Sequence, residues 1–517
     1  MTTTLYRRGR VRSPLSPFTT ALVVDGHTVA WVGEEGAADG MTVDHVVDLH
    51  DAFVAPAFVD AHVHATATGL ALTGLDLSGT PTLAEALDAV ARAAAASTGG
   101  VLLGHGWDES RWPERRPPTT AELERATGGR PAYLSRADLH SAVVTGHLLD
   151  GVAHEDGRVR LGEHHVVRTR ALDGVSAGQA GDAQRATRAE AARLGIGCLH
   201  EMGGPEVSSA VDLAALLRLA GGEPGPDVIG YWGELHGIEA AAALGAQAGG
   251  DLFCDGSFGS HTAALSAPYA DDPTTSGTLR YDAGEIAVHA VAATRAGLQA
   301  GFHCIGDRAV DAVLTGLELA RETLGDAVIA ARHRLEHAES LDGRAVARLA
   351  RLGVVASVQP AFDARWARGM YVERLGRRRA AATNPFADLA QAVVPLALGS
   401  DAPVTPLDPW GGVRAAVEAQ HPLSARVAFS AHTRGGWRAA RADSGGAGEL
   451  APGSPATFAV WQVPAGLVVA VPDGRVTGCS TDPRAGIAGL PDLTGPDPVC
   501  ASTVVRGRTI YDSGALT

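Results

Sequence analysis

Ala57-Phe58-Val59-Asp60-Ala61-His62-Val63-His64 is an apolar run that closes in His-x-His. On an extended strand side chains alternate with period two, so His62 and His64 face the same way and are close enough to share one metal ion. Other apolar segments also end in ligand types. Gly301-Phe302-His303-Cys304-Ile305-Gly306-Asp307 carries His303 ahead of a turn and a helix, Arg332 to His337 closes on His337, and Leu396 to Asp401 closes on Asp401. Four imidazoles and a carboxylate at the C-terminal ends of four strands converge on one face, the face on which barrel active sites lie.

Working outward, the chain alternates strand-like and helical patterns between residues 55 and 444. Thr82 to Ala96, Ala183 to Leu194, Ser208 to Ala220, Glu285 to Ala300, Ala309 to Leu324 and Gly343 to Leu352 place apolar residues at three-to-four spacing, as helices do. Phe58 to Val63, Gly197 to Glu201, Leu252 to Asp255, Gly301 to Ile305, Arg332 to His337, Val354 to Gln359 and Leu396 to Asp401 read as strands between them. The alternation alone fits a closed (β/α)8 barrel and an open doubly wound sheet equally, and the polar strand endings decide between them. Thr20 to Val24 and Thr28 to Val32 flank Asp25-Gly26-His27 as a hairpin does, and Thr457 to Trp461, Gly466 to Val471 and Thr503 to Arg506 are short strands at the far end. Neither end buries a core alone, so residues 1–54 and 445–517 are expected to form one composite β-domain around a barrel at 55–444, which carries an insertion around 100–180.

Composition narrows the partners. The chain has 517 residues, 45% hydrophobic and 20% charged, which is a globular balance. Its longest apolar runs, such as Leu467 to Val471, fall far short of the roughly 20 residues of a membrane span. A net charge of −15 disfavours a cationic grip on nucleic acid or anionic lipid. The expected partners are a small-molecule substrate and a second copy of the chain, with no nucleic acid and no membrane. The first residues lack the apolar stretch of a signal peptide. Five scattered cysteines suit a reducing cytoplasm. The chain contains no lysine: every one of its 43 cationic residues is arginine.

His62-Val63-His64, His303, His337 and Asp401, in this order, resemble the metal site of the amidohydrolase superfamily. Gly106-Trp107-Asp108-Glu109, Arg136-Ala137-Asp138-Leu139-His140, Asp255-Gly256-Ser257-Phe258-Gly259-Ser260, His303-Cys304-Ile305-Gly306-Asp307-Arg308-Ala309 and Gly399-Ser400-Asp401-Ala402-Pro403-Val404 narrow the resemblance to its amidohydrolase-3 branch, which includes N-substituted formamide deformylase. The resemblance spans nearly the whole chain. It implies an α/β fold, a metal-bearing TIM barrel with a composite β-sandwich domain, and hydrolysis at carbon, usually of a C–N bond.

The departures matter. Many relatives carry a lysine four residues before Asp-Gly-Ser, and two-metal members carboxylate a lysine as a bridge; here that position is Asp251. Without lysine no carbamate forms. The resemblance then implies one divalent metal, zinc or else iron or manganese, held by His62, His64, His303 and Asp401, with His337 as a further ligand or substrate contact. Asp251 is the alternative bridge, although its side chain is much shorter. Thr145-Gly146-His147 stands near where relatives carry Asn-Ser, and Ala57 replaces a glycine before the first strand. Metal lowers the pKa of bound water to roughly 7; Asp401 is the expected general base and His337 the expected stabiliser of the oxyanion. Trp107, Asp108, Arg136, Asp138, His140 and Asp255 are expected to line the substrate pocket. Cys254 and Cys304 are expected to be inert buried thiols, His200-Glu201 a strand end and His164-His165 a solvated loop. The principal expectation is a hydrolase of a small amide. The alternatives are a deaminase of a cyclic amidine and a catalytically silent binding barrel, the latter disfavoured because no ligand position is lost.

Overall fold

The strand Phe58–Val63 is buried along its whole length and pairs in parallel with Ile196–Gly203, which pairs in parallel with Asp227–Trp232. The computed structural model in which these are seen describes residues 2–96, 100–109, 112–136, 141–464, 466–468 and 489–516. A second parallel sheet runs in chain order through Gly301–Cys304, Arg334–His337, Val355–Val358 and Leu396–Leu398. Single parallel bridges connect the two sheets. Val63 meets Ala402 at one side; at the other, Tyr231 meets Gln247, Ala248 meets Ala300 and Phe253 meets His303.

Leu252 to Asp255, expected as a strand, therefore makes one bridge and no ladder. Glycine explains the difference. Gly250 has φ +88, outside the extended range, and a Cβ on neighbouring Gly249 would collide with the backbone of Gly301. The two glycines bring the segment against Gly301–Cys304 but interrupt its extended run.

Helices stand between the strands for local reasons. In Gly343–Leu352 the Asp342 side chain accepts the Ala345 N–H at the start, and Gly353 ends the helix at φ +63. Its Val346, Leu349 and Leu352 form the buried stripe, at spacing three. Among the described residues no helix is long and apolar enough to cross a membrane.

The chain ends form two further sheets. One orders Thr28–Gly33, Ala21–Asp25, Thr3–Arg7 and His45–Asp48; the other orders Arg10–Val11, Phe53–Pro56, Phe458–Gln462, Val499–Val505 and Arg508–Asp512. The second joins both ends of the chain, because Phe53–Pro56 lies antiparallel to Phe458–Gln462. Tyr6, Leu22 and Val24 from the first sheet share one apolar cluster with Val54, Phe458, Val460 and Val504 from the second.

Two compact units are present. One comprises residues 1–64 and 188–517 and the other residues 65–187. The smaller unit thus begins well before the insertion around 100–180 read from the sequence. It has its own five-stranded sheet, ordered Arg158–Arg160, Ser141–Val144, Ala132–Arg136, Leu102–Trp107 and Leu75–Asp76. Its core includes Leu83, Leu102, Trp107, Trp112 and Leu134. His164 lies on the helix Leu161–Asp173 and is buried, with Nε2 2.7 Å from the Tyr133 hydroxyl, so it does not sit on a solvated loop.

Candidate metal centre

His62, His64, His303, His337 and Asp401 come together at the C-terminal ends of the parallel strands, and Asp251, which precedes the Phe253 bridge, joins them. Backbone bonds tie the first strand to the last loop: His64 N–H donates to Ala402 O at 2.9 Å and Asp401 N–H to His62 O at 2.8 Å. Gly399 permits this approach, since a Cβ there would sit 2.6 Å from His62 N. His337 and Asp401 both adopt left-handed backbone, at φ 68 and φ 54. Such strain concentrates where a side chain must be aimed.

Each imidazole is oriented through its other nitrogen. His62 Nδ1–H donates to Glu336 Oε2 at 3.0 Å, His64 Nδ1–H to Met202 O at 3.0 Å and His337 Nδ1–H to Gln359 Oε1 at 2.9 Å. These bonds leave the Nε2 lone pairs of all three rings directed into the centre. His303 is reversed. Its Nε2 lies 3.4 Å from Gly256 O, and its Nδ1 lies 3.3 Å from Asp251 Oδ1.

Asp251 sits between two pairs of rings. Its Oδ2 is 3.4 Å from His62 Nε2 and 3.3 Å from His64 Nε2, while its Oδ1 is 3.3 Å from His303 Nδ1 and 3.6 Å from His337 Nε2. Asp401 Oδ1 adds contacts of 3.0 Å to His64 Nε2 and 3.6 Å to His62 Nε2. Two ligands each about 2.1 Å from a zinc ion at the tetrahedral angle stand about 3.4 Å apart. The observed separations are of that size. Three buried atoms, His62 Nε2, His337 Nε2 and Asp401 Oδ1, have no hydrogen-bond partner. Orphaned donor atoms that converge at ligand spacing fit a divalent cation.

Electrostatics agrees with that fit. Burial alone would lower the His62 imidazole, but Asp251 and Asp401 outweigh it and push it up to about 10. His64 is raised well above its ordinary value, against burial, by the same two carboxylates. Burial would raise Asp251, yet His62, His303 and His337 hold it well below the usual carboxylate range. Asp401 is lowered likewise by His62 and His64, against its burial. The two carboxylates thus favour the protonated form of His62 and His64.

The remaining sequence candidates have other surroundings. Asp255 is buried, and its carboxylate accepts the backbone N–H groups of Ala264 at 2.9 Å, Ile305 at 3.0 Å and Gly306 at 2.7 Å. It clamps the loop after the His303 strand, and its Oδ1 is 4.0 Å from His303 Nε2. Trp107 is fully buried in the core of the 65–187 unit and donates Nε1–H to Leu134 O at 2.8 Å. Arg136 pairs there with Asp108 at 3.0 Å and with Glu109 at 2.8 Å. Asp138 and His140 lie outside the described residues. Cys254 and Cys304 are free and buried.

Glu336, Gln359 and Arg334, which the sequence reading does not single out, are buried, and Glu336 and Gln359 bond to His62 and His337. One signal was available for two of them. Arg334 and Glu336 alternate on a strand otherwise buried in apolar surroundings, where charged residues need a reason to be.

The amidohydrolase family profile matches residues 45–511. The chain belongs to the amidohydrolase family, a class of metal-dependent hydrolases that act on carbon–nitrogen bonds. It is 27% identical over 405 residues to YtcJ of Bacillus subtilis, a provisionally named amidohydrolase, covering 72% of this chain and 74% of YtcJ. Over 135 residues, 25% of each chain, it is 30% identical to the N-substituted formamide deformylase of Arthrobacter pascens. An uncharacterized metal-dependent hydrolase from Pyrococcus furiosus superposes with a TM-score of 0.75 at 26% identity, covering 89% of this chain and 98% of that one.

Proposed function

We propose that this chain is a cytoplasmic hydrolase that cleaves a C–N bond of a small amide in a metal centre built on a closed (β/α)8 barrel, beside a two-sheet sandwich. The observation that carries the reading is the convergence of the orphaned His62 Nε2, His337 Nε2 and Asp401 Oδ1 with His64, His303 and Asp251. Bound divalent metal would acidify water and polarise the scissile carbonyl.

The chain's own groups supply the rest. Asp401, held as carboxylate, accepts the proton of the attacking water and returns it to the leaving nitrogen. His337 faces Asp251 Oδ1, where His64 faces Oδ2, and steadies charge developing on the carbonyl oxygen. Phe362 stacks parallel to His337 at 5.9 Å and packs on Trp366 at 4.8 Å, which supports an apolar group on the amide.

The division of the donors around Asp251 supports a second divalent ion: His62, His64 and Asp401 would hold one and His303 and His337 the other, with Asp251 in the place of the absent lysine. The single ion expected from the missing lysine is the other outcome of the metal count. The test combines elemental analysis with a screen of amides, formamides and aminopyrimidines. Released amine with about two metal ions per chain is the expected result. Ammonia from aminopyrimidines would instead favour the deaminase, and protein without affinity for divalent metal would end the proposal.

A further inference from the structure

Directly beneath the metal cluster lies a buried charged layer. Arg334 and Glu336 are both fully buried. Arg334 Nε donates to Glu336 Oε1 at 2.6 Å and its Nη2 to Glu336 Oε2 at 2.9 Å. The same Nη2 lies 2.8 Å from Ala61 O and 2.9 Å from Ser357 Oγ, so its two hydrogens are shared among three acceptors, and Nη1 lies 3.1 Å from His200 Nδ1. The Tyr231 ring covers the guanidinium at 4.5 Å. Glu336 Oε2 is the same oxygen that accepts His62 Nδ1–H at 3.0 Å.

A buried ion pair is a poor way to gain stability, because desolvation offsets its Coulomb attraction and an apolar pair of similar volume often does as well. This pair has a feature that stability does not require. One carboxylate oxygen is shared between the guanidinium and an imidazole whose other nitrogen enters the metal cluster. A carboxylate accepts and does not donate, so it fixes the proton on His62 Nδ1 and the lone pair on Nε2. The guanidinium in turn fixes the carboxylate by two bonds on one edge, which leaves a single direction in which Oε2 can meet a ring. Arg334 is also bonded to the carbonyl of Ala61, the residue before His62, so the ring and its own backbone are held by one side chain.

We infer that Glu336, itself held by Arg334, is a positioning residue that selects the His62 tautomer and aims its Nε2 at the metal. The inference rests on the metal-binding reading above. It concerns how the cluster is preset, not which bond is hydrolysed, so metal affinity tests it independently of any substrate.

The experiment uses the full chain, stripped of metal and titrated with zinc against a chromophoric chelator. Glu336→Gln is expected to weaken zinc binding 10–100-fold, the usual effect of removing a carboxylate behind a metal-bound histidine. A merely structural role would weaken binding equally in any background, whereas positioning acts through His62 alone. In a His64→Ala background Glu336→Gln should therefore cost its full factor, and in a His62→Ala background less than about threefold. Equal losses in both backgrounds, or no loss in the wild-type background, would overturn the inference. Glu336→Gln leaves Arg334 charged and buried, which can prevent folding. Arg334→Met with Glu336→Leu removes both charges and gives the same cycle. A third measurement needs no change at Glu336: in the zinc-loaded protein, long-range 1H–15N spectra, assigned with His62→Gln, should show His62 protonated at Nδ1 and metallated at Nε2. Metal on Nδ1 would overturn the inference, and wild-type protein without affinity for zinc would overturn both it and the proposed function.

Discussion

Asp401 and Asp251 are both buried carboxylates held ionised by histidines, yet they face different atoms and should fail in different ways. Asp401 meets His62 and His64 through Oδ1 alone, whereas Asp251 meets imidazoles through both oxygens. Asparagine keeps the shape of Asp401 but has no basicity near neutral pH. Asp401→Asn is therefore expected to lower kcat by at least about 10²-fold, the low end for general base catalysis, while losing less than half of the metal. Rate and metal content measured on one preparation check this, and a mutant with full metal and half the wild-type rate would remove Asp401 from the role of base. Asp251→Ala is expected to behave in the opposite order, losing metal first and activity as a consequence. Elemental analysis after dialysis checks it: an alanine variant with unchanged metal content would show that the short side chain does not bridge. His62→Ala and His64→Ala should each bind zinc more weakly, still measurably, and lose activity in proportion, with little change in circular dichroism, because the apolar core lies elsewhere.

At the scale of elements, the site depends on how closely the strand Phe58–Val63 meets the turn after Leu396–Leu398. Gly399→Ala adds a Cβ 2.6 Å from His62 N and 3.0 Å from His62 Cβ, so the turn must retreat. Overpacking of this kind costs about 1–3 kcal/mol. A lower melting temperature together with weaker zinc binding is expected, and a variant with wild-type zinc affinity would show that the turn moves without His62. The same elements show what the sequence disclosed. Phe58–Val63 and Gly343–Leu352 have the bounds that their apolar patterns indicate, because complete burial and a capped amphipathic stripe both leave local signatures. The four histidines and Asp401 were legible for the same reason, since they end such strands. Leu252 to Asp255 was not, because Gly249 and Gly250 before it matter through contact with Gly301, far along the chain. Glu336 was illegible as a partner of His62 because the two are 274 residues apart. The first strand of the 65–187 unit, Leu75–Asp76, has only two residues and carries no periodicity to read.

For the whole molecule, protons and metal compete for one set of atoms, and this makes stability depend on pH in a direction the geometry fixes. The His62 imidazole is raised from 6.5 to about 10 in the metal-free fold. A group raised on folding stabilises fully below its unfolded value and loses that contribution as pH climbs through its folded value. Metal-free protein should therefore lose stability between about pH 6.5 and pH 10 as His62 gives up its proton. Asp251 and Asp401 are lowered on folding, so their contribution is present above the ordinary carboxylate value of 3.8 and fades as pH falls below it. Metal binding reverses the upper limb. The ion needs the Nε2 lone pair, so binding expels the proton and strengthens as pH rises, by about 1.4 kcal/mol per pH unit for each proton displaced. The gap between the melting temperatures of zinc-loaded and metal-free protein is accordingly expected to widen steadily from pH 6.5 towards pH 10, and calorimetry at matched pH should record proton release on zinc binding. Melting curves that stay parallel across that range, with no proton released, would mean that His62 and His64 are neutral before the metal arrives and that Asp251 and Asp401 do not keep them protonated.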